Sequence, residues 1–409
     1  MKNFENYQSL IILLSTGMGE IVLICRDFWP DTQATSQLFS DLIHSLTEKG
    51  HDISVLCGHP LTSEHKPDAT HPFEKIKIIR IGPKNPSKKN ISCRLYNYIA
   101  FLLHLGKYIP KYRTRKVIAL TAPPFLPIWI YILQKLFRFS YDLFLLDLYP
   151  EILIGLEIFK PNALVVKIWK SLNRKAFHRA ERIFVIGRDM EKVIKTSYGL
   201  DETTHYFPHW GQINGKLITF EDSHLTNELN LQSKFVVQYS GNMGMLHDMD
   251  SFVLVAKALI GYENIHFLFL GDGKRRERAK KLSAQIKNIT WLPPQPKTDL
   301  SETLAACHIG LISLRENMLG YAVPSKLYGI LASARAVIAM VPKGSEVEQV
   351  VTESNCGIIT SNIDDTVSAI LELYYNRKKL AQLATNGHRE FLKKYTLNKA
   401  VSRYEQFYI

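Results

Sequence analysis

The sequence predicts an α/β protein built of two doubly wound, Rossmann-like parallel-sheet domains that face a central cleft. Three observations predict it. Short apolar runs rich in β-branched residues recur along the chain, helical periodicity fills the gaps between them, and the pattern restarts after a polar stretch near 211–232. The 409 residues suffice for two cores, since a domain takes roughly 150. With 46% hydrophobic, 22% charged and 11% aromatic residues, the composition is ordinary for a globular chain and excludes a fibrous or disordered one.

The first cycle opens with the run IVLIC at 21–25. The loop RDFWPDTQAT leads into a periodic segment that ends in Lys49-Gly50, and HDISVLCG follows as the second strand. Further strands are expected at 77–81, 117–120, 142–148 and 182–187. Residues 117–134 are uncharged for 18 positions, long enough to be tested as a membrane span. Pro123, Pro124 and Pro127 each fix φ and lack an N–H donor, so the segment reads instead as a buried strand, a turn, and a helix that starts beside the prolines.

The second cycle supplies strands at 234–241, 265–273, 289–293, 308–314, 336–341 and 356–361. The expected organisation is an appendage at 1–17, a first domain at 18–210, a linker at 211–232, a second domain at 233–385, and a C-terminal helix at 386–409 that packs back towards the first domain. Leu10–Leu14 is too short to span a membrane and lacks the flanks of a signal peptide, so neither is expected, and Met18 offers an internal start. Five scattered cysteines, with no C-x-x-C pair, suggest neither a disulfide framework nor a zinc site and fit a reducing compartment.

Charge is distributed unevenly. Of the net +13, residues 1–200 carry +11 (28 Lys/Arg against 17 Asp/Glu). Between Glu74 and Asp142 there is no acidic residue and there are 14 basic ones, among them Lys88, Lys89, Arg94, Lys107, Lys111 and Arg113. Such a stretch attracts polyanions. Leu95, Tyr98, Leu102, Leu105 and Ile109 share one helical stripe within it, so it reads either as a basic interfacial membrane segment or as a surface helix that uses the stripe for its own core. An anionic membrane surface is the expected partner, and nucleic acid is not.

The strongest local signal is Ser240-Gly241-Asn242-Met243-Gly244, between a strand and a helix from about Asp248. Glycines there let backbone amides approach an anion, and a diphosphate is the natural occupant; glycine serving turn geometry alone is the other reading. Dinucleotide binding is disfavoured, because no G-x-G-x-x-G follows the first strand of either half. Val323-Pro324-Ser325-Lys326 opens a helix with a lysine that works against the helix dipole, which an anion would offset. Arg315, just past a strand, points the same way. Asp248-Met249-Asp250 has the spelling of a metal-binding pair but is more simply a helix cap, and His209 and His247 read as hydrogen-bonded structural histidines.

Taken together, GNMG…HDMD, FLFLGDG, WLPPQP, SLREN, VPSKLYGILASARAVIA and SEVEQVV, with DFWPDTQAT, TAPP, DLYPE and FPHW before them, resemble glycosyltransferase family 4. More narrowly they resemble its colanic-acid and O-antigen type sugar transferases. The resemblance implies a two-domain GT-B fold, a nucleotide-sugar donor on the second half and an acceptor on the first. By that resemblance Gly241, Asn242, Met243 and Gly244 line the donor diphosphate, Ser325, Lys326 and Arg315 bind it, Pro294 and Gln295 lie near the base, and Glu346 touches the ribose or sugar. Asp31, Thr32 and Thr35 face the acceptor, and Asp147 or Glu151 orients its hydroxyl, so that Lys326, Asp147 and Glu151 form the expected catalytic set.

One departure matters: the glutamate pair of the family falls on Tyr321 and Gly329 here. The reaction implied is transfer with retention and without a metal, from a UDP-sugar in preference to a GDP-sugar, to a lipid-linked glycan at the inner face of the cytoplasmic membrane, with no cofactor. A nucleotide-sugar epimerase of the same shape, or a non-catalytic nucleotide-sugar or glycan binding protein, are the alternatives.

Overall fold

The computed structural model describes residues 21–60, 75–84, 91–211 and 217–408. The expectations for 1–17, Leu10–Leu14 and Met18, and the residues Lys88 and Lys89, lie outside the described residues.

Among the described residues, thirteen strands form two sheets. The first holds β1 (Ile21–Cys25), β2 (Ile53–Gly58), β3 (Lys77–Ile81), β4 (Lys116–Leu120), β5 (Tyr141–Leu145), β6 (Ile183–Val185) and β7 (Thr204–Tyr206), in the order β3-β2-β1-β4-β5-β6-β7. The second holds β8 (Phe235–Ser240), β9 (Ile265–Leu270), β10 (Ile289–Leu292), β11 (Ile309–Ser313), β12 (Ala336–Met340) and β13 (Gly357–Thr360), in the order β10-β9-β8-β11-β12-β13. Parallel registers such as Val22↔Val117 and Val237↔Phe267 tie the strands together. Every residue of β1, β2, β5 and β11 is buried, which is why these strands read as continuous apolar runs rather than as alternating ones. In each sheet the order reverses beside the first strand of the cycle, β1 or β8, the kind of point where open α/β sheets bind ligands.

The described residues group into two compact units. One comprises those up to Phe144, with Leu172–Ile183 and Ala400 onward; the other comprises Leu145–Ser171 and Phe184–Lys399. Residues 145–171 and 184–210, assigned to the first half by chain order, therefore group with the second. Asp142 organises the first unit: its fully buried carboxylate pairs with Lys116 at 2.9 Å and accepts from Tyr408 Oη at 2.6 Å. Glu405 pairs with Lys49 at 2.9 Å. A buried charge held by several donors fixes the end of the chain in this unit.

Three local expectations differ from the structure. The stretch 217–232 is not a plain linker: it holds the helix His224–Glu228, capped by Ser223, and it buries Phe220, Leu225 and Leu231 against Val236, Leu268 and Leu270. The C-terminal segment is two helices, Arg377–Lys394 and Leu397–Tyr408, rather than one from 386. In the helix Ile91–Tyr108 the expected stripe turns inward at Leu105 and Ile109, just beyond its end, while Leu95, Tyr96, Ile99 and Leu103 are exposed, at 49 to 65%. The core demand of Phe101 and Leu105 sets the rotation, which leaves a second apolar row outside. No helix among the described residues is long and apolar enough to cross a membrane.

Candidate active site

The site begins with two glycine turns at the ends of neighbouring strands. After β8 the chain turns at Gly241 (φ +116°), and after β9 at Gly271 (φ +129°) and Gly273 (φ +147°). A Cβ on Gly271 would stand 2.0 Å from the carbonyl oxygen of Gly241, and one on Gly273 would stand 2.5 Å from that of Met243. Backbone therefore lies against backbone, and only glycine meets both the spacing and the dihedral angles. Gly241 N donates to Leu270 O at 3.0 Å, Met243 N to Asp272 O at 2.8 Å, and Arg275 N to Met243 O at 3.0 Å. Tyr239 Oη donates to Asn242 O at 2.9 Å. Met243 is buried beneath the turn, while Gly241 and Asn242 are exposed and Gly244 is partly so. Sequence reasoning assigned no role to Gly271-Asp272-Gly273; a second glycine pair directly after the adjacent strand was the available signal.

Lys326 starts the helix Lys326–Ala332 beside this turn. Its Cε lies 3.9 Å from where a Gly241 Cβ would be, and its Nζ sits 3.4 Å from the centre of the Tyr239 ring. The Nζ atom is buried and meets no hydrogen-bond acceptor among the described residues. Burial holds its pKa well below the ordinary lysine value. A desolvated ammonium with only an aromatic face for company is a receptor that an anion would complete.

The flanking residues are held by strand ends. His247 Nδ1 lies 2.6 Å from Ser313 O, so we assign the ring proton to Nδ1; burial first, then Lys326, lowers its pKa to about 3, and the ring is neutral. Arg315 N donates to Leu246 O at 2.9 Å, bringing Arg315 to the far end of the glycine turn. Asp248 caps the helix Met249–Ala258 by accepting from Ser251, and Asp250 pairs with Arg278 at 2.9 Å. Both carboxylates thus have helix and ion-pair roles. His209 packs with Trp210 and Tyr328, and burial lowers its pKa to about 4.

The expected carboxylates fall in three different settings. Asp147 forms an antiparallel bridge with Ala322, and Leu148 N donates to Tyr321 O at 2.9 Å, so Asp147 belongs with the segment that leads into Lys326. It keeps part of its surface in solvent, while desolvation of the carboxyl pushes its pKa up to about 6. Glu151 is buried, accepts from Tyr198 Oη at 2.8 Å and pairs with Lys170 at 3.3 Å. Glu346 is also buried and is held by partners within the protein: it accepts from Arg188 N at 2.8 Å, from Arg188 Nε at 3.0 Å and from Tyr206 Oη. The spacing of SEVEQVV gives no hint of this partner, which comes from 158 residues away.

The remaining expected residues lie at the surface or in the other unit. Pro294 is exposed, and Gln295 folds onto its own loop through a 2.9 Å bond to Pro293 O. Ser325 precedes the helix without a side-chain cap bond. In the first unit Asp31 is buried, its N–H donating to Phe28 O at 3.1 Å; Thr32 is exposed; and Thr35 falls inside the helix Ala34–Glu48 rather than in a loop. At the positions of the missing glutamate pair, Tyr321 is half-buried and Gly329 packs against Leu304.

Comparison with known proteins bears on the fold and the kind of protein it resembles. Residues 234–376 match the family model described as glycosyl transferases group 1. A curated relative, the probable glycosyltransferase WbjE of Pseudomonas aeruginosa, is 25% identical over 343 residues, covering 83% of this chain and 85% of that one. Among solved structures, sucrose-phosphate synthase of Thermosynechococcus elongatus aligns with a TM-score of 0.74 at 15% identity, covering 95% of this chain and 98% of that one. WaaG, a glycosyltransferase involved in lipopolysaccharide biosynthesis, aligns at 0.71 and 11%, and Anabaena HepE in complex with UDP at 0.70 and 13%, each over 95% of this chain and 99% of the other. The double Rossmann-like, GT-B architecture is shared along the chain with these solved structures, and the match to glycosyl transferases group 1 falls on the stretch that carries the glycine turns and Lys326.

Proposed function

We propose that this protein is a retaining, metal-independent glycosyltransferase that moves a sugar from a UDP-sugar to a lipid-linked glycan at the inner face of the cytoplasmic membrane, in cell-surface polysaccharide synthesis. The observation that carries the reading is Lys326 Nζ, buried beside the glycine turn at Gly241 without an acceptor among the described residues. A sugar diphosphate placed there gives the ammonium its counter-charge.

The chemistry follows from the leaving group. As the bond between the anomeric carbon and the diphosphate oxygen breaks, its electron pair goes to that oxygen, and charge develops where Lys326 and the turn amides are fixed in advance. The acceptor hydroxyl forms the new bond from the same face and passes its proton to the departing phosphate. Asp147, with its pKa near 6, orients that hydroxyl. Positive charge comes from Lys326 and Arg315, whereas Asp248 and Asp250 are occupied by a helix start and an arginine. HepE was solved with UDP and with UDP-glucose, and WaaG is described as acting in lipopolysaccharide biosynthesis, which supports this donor and this class of product.

The first unit supports the acceptor side. The outer row Leu95, Tyr96, Ile99 and Leu103 stands on an acid-free, basic stretch, a composition suited to an anionic leaflet where a polyprenyl diphosphate resides. The test is thermal stabilisation by UDP, GDP and their sugars, followed by transfer from the stabilising donor to a polyprenyl-diphosphate-linked glycan, with the anomeric configuration of the product read by NMR. Stabilisation by UDP and a product of unchanged configuration are expected. Inversion would refute the same-face mechanism, and tight binding with no transfer or donor hydrolysis would favour a nucleotide-sugar sensor.

A further inference from the structure

The segment 316–325 leads directly into Lys326, and the second unit grips it from two sides. On one side, Leu148 N donates to Tyr321 O and Asp147 bridges Ala322, while a Cβ on Gly155 would stand 2.3 Å from Asn317 O. On the other side lies the helix Arg188–Val193. Gly320, with φ +76°, rests against it so closely that a Cβ would be 2.6 Å from a methyl carbon of Val193 and 3.0 Å from Asp189 O. Val323 packs on Gly187, where a Cβ would come within 2.7 Å of its methyl carbon.

The centre of this second contact is polar. Asp189 is buried and uses both carboxylate oxygens: Oδ1 accepts from Met190 N at 2.9 Å, and Oδ2 accepts from Gly320 N at 3.1 Å. A carboxylate buried beside Gly187, Val193 and Val323, with the Glu346 backbone N–H also facing it, is an expensive way to pin a loop, and it is justified only where the loop's place matters. Only Tyr321 to Ser325 lie between Gly320 and Lys326, so a shift of this anchor passes along the chain to the start of the lysine helix.

We propose that Asp189 is a positioning residue: by holding Gly320 N it sets the segment that places Lys326 Nζ against the glycine turn, and so sets affinity for the donor diphosphate without touching it. This rests on the reading that Lys326 binds that diphosphate. Asp189→Asn keeps the shape but offers one acceptor oxygen where the carboxylate offers two, which should weaken nucleotide binding about tenfold, the equivalent of one charged hydrogen bond.

The experiment is a calorimetric double-mutant cycle on the full chain, with whichever of UDP and GDP the wild type binds, using Asp189→Asn, Lys326→Met and both together. The expected result is a tenfold loss for Asp189→Asn that shrinks below about twofold in the Lys326→Met background, because the residues act through one another. A merely structural role would lower the melting temperature and leave the affinity of the folded protein unchanged, and that outcome overturns the proposal, as does full additivity. Lys326→Met binding like wild type, or a wild type that binds neither nucleotide, overturns the donor reading and this one with it; loss in Lys326→Met alone overturns only this one. If Asp189→Asn does not fold, Gly320→Ala leaves every buried charge in place and displaces only the loop; it should give the same loss and the same non-additivity, and wild-type affinity in it would refute the idea.

Discussion

Lys326 Nζ sits 3.4 Å from the centre of the Tyr239 ring, with no hydrogen-bond acceptor among the described residues. The same tyrosine donates from its hydroxyl to Asn242 O, so one side chain holds both the lysine and the glycine turn. The ring stabilises the ammonium by about 2 kcal/mol or more in a desolvated site, which falls short of the hydration lost on burial. Burial therefore depresses the pKa of the lysine in the free protein.

The sign of the resulting pH dependence is fixed. Between the lowered folded value and the ordinary 10.5, the unfolded chain binds more protons than the folded one, so stability of the free protein rises with pH across that window. A bound diphosphate favours the ammonium. UDP binding should therefore take up protons and weaken as pH rises. Calorimetry in buffers of different ionisation enthalpy measures the uptake directly, and zero uptake throughout the range would contradict a titrating Lys326.

Gly271→Ala brings a Cβ to 2.0 Å from Gly241 O at a φ of +129°. Neither backbone can yield without moving the Gly241 turn. A loss of at least about 2 kcal/mol of stability is expected, together with loss of UDP binding. Chemical denaturation and a UDP titration check the two effects separately.

Glu346→Gln should lower stability by about 2 kcal/mol, because Arg188 loses the carboxylate that accepts from its N and Nε. UDP affinity should stay within about twofold of wild type. A large selective loss of UDP binding with stability intact would instead support Glu346 as a ribose or sugar contact.

Ile99→Glu combined with Leu103→Glu puts two carboxylates on the outer row of the helix Ile91–Tyr108. Each apolar side chain lost from an interface weakens binding by about 1–2 kcal/mol, so partitioning onto phosphatidylglycerol-containing vesicles should fall at least tenfold. Both positions are exposed, and the melting temperature should hardly move. Unchanged sedimentation with such vesicles would remove this face from any membrane contact.

The sheet framework was legible because buried parallel strands must be continuously apolar: IVLIC, KIIRI and HIGLISL lie at or within a residue or two of the observed β1, β3 and β11. The three-residue edge strand Thr204–Tyr206 carries no such run and was missed. Within the site, glycines and a lysine announce themselves through local backbone demands, so Gly241 and Lys326 could be found. Partners could not. Nothing near Glu346 points to Arg188, nothing near Gly320 points to Asp189, and chain order alone gave no sign that Asp147 groups with the second unit. The rotation of the helix at 91–108 was likewise ambiguous, since two apolar rows compete for the core and only Phe101 and Leu105 decide it.

The most direct test is a calorimetric titration of UDP into wild type and into Lys326→Met, a change that keeps the length and apolar stem of the side chain. Wild type should bind, and the variant should bind at least a hundredfold more weakly, about 3 kcal/mol, while its free form is no less stable, because an unpartnered buried amine has been removed. Equal UDP affinity in the two proteins would contradict a diphosphate held by Lys326 beside the glycine turns.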